Sequence, residues 1–161
     1  MNSLGNSMLL GLLLFTIGQP AMADSAGDII MVQDPYVRAV PPGQPNSASF
    51  MSLHNPDEQG HVLIGASSPA AEVAELHTHT MEGGMMRMRK VEKVDLPGGD
   101  RVSLEPGGLH VMMIGLKQKL VPGEKVPLTL LFEDGSQLKV DAPVRKLQMR
   151  MKQGEHKGMM H

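Results

Sequence analysis

Proline and glycine punctuate this chain so often that no helix of useful length fits between them. The clusters are Pro41-Pro42-Gly43, Asn55-Pro56-Asp57, Ser68-Pro69, Gly83-Gly84, Pro97-Gly98-Gly99-Asp100, Pro106-Gly107-Gly108, Pro122-Gly123 and Asp134-Gly135. Proline removes a backbone donor and fixes φ, and glycine supplies positive φ, so each cluster reads as a turn. The segments left between them have strand length: 29–40, 47–54, 61–67, 71–79, 85–92, 101–105 and 108–115. Val126, Leu128, Leu130 and Phe132 share one parity, and Leu138, Val140 and Ala142 alternate with Lys139 and Asp141. That period of two belongs to half-buried antiparallel strands, and Glu133-Asp134-Gly135-Ser136 joins the two runs as a hairpin. The expected fold is an all-β Greek-key sandwich of about eight or nine strands.

The ends differ from this middle. Met8 to Ile17 is an apolar run of ten, too short for a mature membrane span, and Ala21-Met22-Ala23 follows it. This predicts a signal peptide over 1–23, cleaved after Ala23, a periplasmic destination and no stable membrane insertion. Residues 1–7 hold no Lys or Arg, which departs from the usual basic start. The β-domain is expected over 24–144. Residues 145–161 are basic, polar and without alternation, and read as a flexible tail rich in Met and His.

Composition closes several classes. A net charge of −2 and 2% aromatic residues offer neither a basic field nor a stacking platform for nucleic acid. With no Cys there is no disulfide, thiolate zinc site, iron–sulfur cluster or blue-copper centre. No context supports a nucleophilic triad, a carboxylate pair or a phosphate loop, so the chain is not expected to be an enzyme. What remains conspicuous is fifteen Met and seven His.

Three segments place such residues two apart, hence on one face of a strand: His77 with His79, Met86 with Met88, and His110 with Met112. Ala74 and Leu76 mark the core side of the first, so His77 and His79 point away from the core. Leu109, Val111 and Met113 do the same for the third, leaving His110 and Met112 outward. In the middle segment Arg87 and Arg89 take the outer face, which would send Met86 and Met88 inward unless a bulge or a sheet rim intervenes. Thioethers are soft, neutral ligands that need no deprotonation. Joined with imidazole they favour Cu(I) over Mg²⁺, Ca²⁺ or Zn²⁺.

His77 is followed by ten residues and Met88, then by twenty-one and His110, then by one and Met112. This arrangement resembles the H-x10-M-x21-H-x-M signature of the PCu(A)C periplasmic copper chaperones. The likeness extends from about Tyr36 to Val144, through Val37-Arg38-Ala39, Gly65-Ala66-Ser67-Ser68-Pro69, Glu75-Leu76-His77, Met86-Arg87-Met88-Arg89 and Pro106-Gly107-Gly108. The resemblance implies a cupredoxin-like sandwich and an exposed Cu(I) site formed by His77, Met88, His110 and Met112. It also implies delivery of copper to the CuA centre in subunit II of cytochrome c oxidase, alongside Sco-type proteins. Leu109 stands where relatives often carry Tyr or Phe, which removes an aromatic neighbour but no ligand. The tail is similar to Met/His-rich extensions of some relatives, and there His156, Met159, Met160 and His161 are candidates for a secondary copper site, with Cu(II) as one guest.

Singly, each of these residues has a plainer reading. An in-strand Met is usually core filler, and Met51, Met86 and Met113 are assigned to core or rim. His79 and Met81 fit either alternate ligands or a strand end. His54 and His61 flank a turn, where a solvated imidazole is the default. The functional alternative to a carrier is a copper-buffering or resistance protein with no dedicated acceptor. The chain is expected to be a monomer, with a metal-bridged dimer as the other arrangement.

Overall fold

A computed structural model describes residues 24–146. The predicted signal peptide 1–23 and the tail from 147 onward, including His156, Met159, Met160 and His161, lie outside the described residues. A single helical turn, α1 (Ala26–Ile29), precedes ten strands. These are β1 (Met31–Arg38), β2 (Asn46–His54), β3 (His61–Ser67), β4 (Ala71–Glu82), β5 (Met85–Lys90), β6 (Val94–Leu96), β7 (Arg101–Leu104), β8 (His110–Leu116), β9 (Lys125–Phe132) and β10 (Gln137–Arg145). Among the described residues, no helix is long and apolar enough to cross a membrane.

The strands form one hydrogen-bonded sheet in the order β5-β4-β8-β2-β1-β10-β9-β3-β6, with β7 also paired to β2. The cupredoxin-like all-β architecture expected from the sequence is present. Two layers share the core. In the first, β2 pairs with β1 along one edge, and along the other with β8 at Asn46–Ser49 and then β7 at Met51–His54. In the second, β10, β9, β3 and β6 are antiparallel neighbours. The layers join where β1 runs parallel to β10, with Val37 opposite Val144 and Arg38 opposite Arg145. The antiparallel hairpin read from the sequence is the β9–β10 pair, whereas this parallel seam has no signature in the sequence. Local alternation reports which face is buried, but not which distant strand lies alongside.

The inward side chains are those the alternation selected. Val126, Leu128, Leu130 and Phe132 of β9 face Val140, Ala142 and Val144 of β10, Met51 and Leu53 of β2, Leu76 of β4, and Val111 and Met113 of β8, all buried in one cluster. Three local expectations need correction. Val94-Asp95-Leu96 is a strand, too short for periodicity to reveal. The proposed start of the tail at 145 is one residue early, because Arg145 closes β10. There it reaches back to Asp34 through two hydrogen bonds of 2.6 and 3.2 Å. Third, His61 is not solvated. It is buried, with Nδ1 3.2 Å from a Glu133 carboxylate oxygen and Nε2 3.7 Å from Asp57.

Candidate metal centre

The outer face of the first layer carries the donors. Register places His77 of β4 directly opposite His110 of β8, and Glu75 opposite Met112. On the other edge of β4, His79 faces Met88 of β5 and Met81 faces Met86. Since side chains of directly opposed residues share a face, Met86, Met88, His77, His79, His110 and Met112 all project to one side of the sheet. The same face continues onto β2, where Ala48 is opposite Met112, and onto β1, where Tyr36 is opposite Phe50.

Of the alternatives left open for Met86 and Met88, the sheet rim is the one the structure shows. Strand β5 forms the sheet's edge beyond the second layer, and all six of its residues are exposed. With no core under either face, no bulge is required. Arg87 and Arg89 take the far face, paired with Glu82, and the thioethers take the near one. Met86, read from the sequence as core or rim, lines the site instead, and is 62% exposed. Met51 and Met113 are core, as expected.

His110 occupies the expected face but is only 1% exposed. A staircase of rings covers it: Tyr36 and Phe50 at 5.2 Å between centroids, Phe50 and His110 at 6.1 Å, then His110 with His77 at 5.9 Å and with His79 at 5.1 Å. The Arg38 guanidinium lies over Phe50 at 5.1 Å. Sequence patterning identifies the face of a strand, but not what folds over that face.

Hydrogen bonds settle which imidazole nitrogens are free. His110 Nδ1–H donates to the Gly108 carbonyl at 3.0 Å. The neutral ring therefore carries its lone pair on Nε2, which is buried with no partner. His77 donates Nε2–H to Glu75 at 3.0 Å, leaving Nδ1 buried and equally unpartnered. Glu75 is held in turn by Lys90 at 3.1 Å, and its carboxyl lies below the ordinary carboxylate range because of the His77 and Lys90 hydrogen bonds. His79 Nδ1 is a third buried nitrogen without a partner. Unpaired buried lone pairs are costly and rare, and an imidazole fixed at one nitrogen by a carboxylate or carbonyl is the usual form of a metal ligand. Burial is the main cause that pushes the His110 pKa below 6.5. The nearby His79, His77 and Arg38 add to it, and the Gly108 carbonyl opposes it. That keeps the ring neutral, as coordination needs.

A pocket of about 310 Å³ opens among these groups, lined by His79, Met86, Met88, His110 and Met112 together with Phe50. Of the four residues singled out by spacing, Met88, His110 and Met112 line it directly, while His77 stands beside His110 at its margin. His79 and Met86 join the wall, and the cross-strand pairing that brings them there is not visible in sequence spacing. Among the described residues, no three His, Asp or Glu side chains converge as a cage for a hard cation. A larger groove of about 820 Å³ between the Pro41–Pro45 and Leu116–Pro122 loops is rimmed by Lys117, Lys119 and Lys146 and contains no soft donor.

These features define a cupredoxin-like β-sandwich domain with a thiol-free face of imidazoles and thioethers. The chain belongs to the LpqE-like family, whose model, described as "Putative lipoprotein LpqE-like", matches residues 30–144. It is 34% identical over 143 residues to a protein of Leifsonia xyli subsp. xyli described as "Putative lipoprotein Lxx21020", covering 86% of this chain and 85% of that one. Among solved structures it is similar to the copper-bound PCuAC domain from PmoF2, with a TM-score of 0.64 and 25% identity over 78% of this chain and 100% of the other. It is also similar to CuI-DR1885 from Deinococcus radiodurans, with a TM-score of 0.60 and 40% identity over 72% and 78% of the two chains. The likeness to PCu(A)C proteins drawn from the sequence is borne out.

Proposed function

We propose that this protein is an exported copper chaperone that binds Cu(I) through His77, Met88, His110 and Met112 and passes it to a copper enzyme. The observation that carries the reading is the coincidence of unpartnered imidazole lone pairs with exposed thioethers around one pocket. Two neutral sulfurs and two neutral nitrogens add no charge, which suits a monovalent soft ion. The likeness to structures titled as copper-bound and Cu(I)-bound supports copper as the cargo, and the lipoprotein description of relatives supports export to the periplasm. The role is binding and handover, with no catalytic step.

The chain's own groups explain how release stays easy. Glu75 and the Gly108 carbonyl orient the two imidazoles from behind, so the nitrogens are held ready without a closed cage. Met88 is 46% exposed on an edge strand, so an incoming donor atom can displace its sulfur first. An acceptor would thus take the ion by successive ligand exchange, without freeing it into water. The CuA site of cytochrome c oxidase subunit II, reached with or without a Sco-type partner, is the proposed destination.

Replacing both Met88 and Met112 by Leu keeps apolar bulk and removes the sulfurs. Cu(I) affinity should fall by about 100-fold or more, exceeding the loss typical of a supporting residue. Unaltered affinity in a competition titration would sink the assignment. Oxidase copper loading in a deletion strain separates delivery from buffering: normal loading together with copper sensitivity would indicate storage.

A further inference from the structure

Eight large apolar side chains are exposed among the described residues. Met31, Ile64, Val73 and Val121 are scattered, but Met81, Met85, Met86 and Met88 all belong to the β4–β5 hairpin. Exposing one methionine needs no explanation. Concentrating four on one arm, where no core asks for them, does.

Register sorts the four. Met85 is opposite Glu82 and shares the far face with Arg87 and Arg89. Met81 and Met86 are directly opposite each other on the near face, 66% and 62% exposed, one pair further out than His79 and Met88. Directly opposed residues have Cβ atoms about 5 Å apart, close enough for two flexible thioethers to close on one ion. Successive pairs on one face are roughly 7 Å apart along the strands. Gly83 and Gly84, with φ of 57° and 78°, form the two-residue turn that holds this register. Arg87 and Arg89 project to the far face and are engaged by Glu82. The near-face guanidinium is that of Arg38 on β1, which lines the pocket and lies over the Phe50 ring, with β2 and β8 between its strand and the hairpin. Met86 belongs to both neighbourhoods, since it also lines the pocket with Met88 and Met112.

Resting on the copper reading above, we propose that Met81 and Met86 form a second, more labile Cu(I) site at the hairpin tip, through which the ion enters and leaves the main pocket. Two neutral sulfurs hold the ion more weakly than two sulfurs and two imidazoles. Transfer inward is a ligand exchange: Met86 keeps its bond while Met88 replaces Met81, and the imidazoles then complete the set. No electron or proton moves. The arm is reachable from solvent on both faces, so a donor or acceptor can meet the ion there without disturbing the buried His110.

Silver(I), a redox-inert mimic of Cu(I), tests this on the mature chain with 13C-methyl methionine, the signals being assigned by single Met→Leu variants. The first equivalent is expected to shift the Met88 and Met112 methyls and further addition those of Met81 and Met86. In the Met81→Leu variant the later shift of the Met86 methyl disappears, first-equivalent affinity is retained because Met81 does not line the main pocket, and loading from a Cu(I) donor complex slows. Met81 is exposed, so the variant keeps the core. Met81 and Met86 methyls that stay unmoved while Met88 and Met112 respond would overturn the tip site and leave the main site standing. Silence from all four would remove both.

Discussion

At the scale of single residues, the chemistry turns on which nitrogen of each imidazole is free. His110 is turned by the Gly108 carbonyl and His77 by Glu75, so each ring presents its remaining lone pair without a protein partner. Glu75→Ala should therefore weaken Cu(I) binding by about 10–100-fold while leaving its stoichiometry unchanged, as measured by chelator competition. Protons compete with the metal, and burial holds His110 below 6.5. In a His77→Ala variant the pH-dependent fall in affinity should accordingly appear only on the acid side of that value, and an affinity indifferent to acid would contradict His110 as a ligand. The same shift has a stability sign. The unfolded chain binds the proton more readily, so the contribution of His110 to apo stability is fully present above 6.5 and is lost as pH falls towards its folded value. The likeness of the H-x10-M-x21-H-x-M arrangement to the PCu(A)C signature picked out the four candidates, and strand register puts His77, His110 and Met112 on one face. Spacing could not show that His110 would be covered by Phe50 and its neighbours, nor that His61 would lie buried between carboxylates. Those placements depend on side chains from strands far away in sequence.

At the scale of elements, the β4–β5 hairpin is the part that makes the site. It contributes two imidazoles and the exposed thioethers, and its second strand has no buried residue. Its register depends on a glycine pair at positive φ, where an L-side chain costs about 1–2 kcal/mol per residue. The Gly83→Ala/Gly84→Ala variant should fray the arm locally, lowering Cu(I) affinity while the melting temperature of the apo protein moves little, because global unfolding is governed by the core. A large drop in melting temperature with intact binding would show that the arm is structural. The glycine pair located this hairpin in the sequence, but the side taken by Met86 and Met88 stayed open between the core and a sheet rim, since alternation distinguishes two faces and cannot tell whether either one covers a core.

At the scale of the whole molecule, the sandwich gives a rigid platform against which an edge arm can remain open. The second layer, β10-β9-β3-β6, packs beneath the first and meets it at the parallel β1–β10 seam, while β5 lies at the opposite end of the strand order from β6. The turns and nearly every strand could be read from Pro, Gly and alternation, because those signals are local. The parallel seam and the three-residue β6 could not, because each is decided by pairing between distant segments. The central claim is that donors from β4, β5 and β8 surround one cuprous ion. X-ray absorption at the copper edge of the reduced, loaded mature protein tests it most directly. The account predicts both sulfur and imidazole nitrogen in the copper shell, with the sulfur lost in the Met88→Leu/Met112→Leu variant; a shell of nitrogen and oxygen alone, identical in the two proteins, would contradict it.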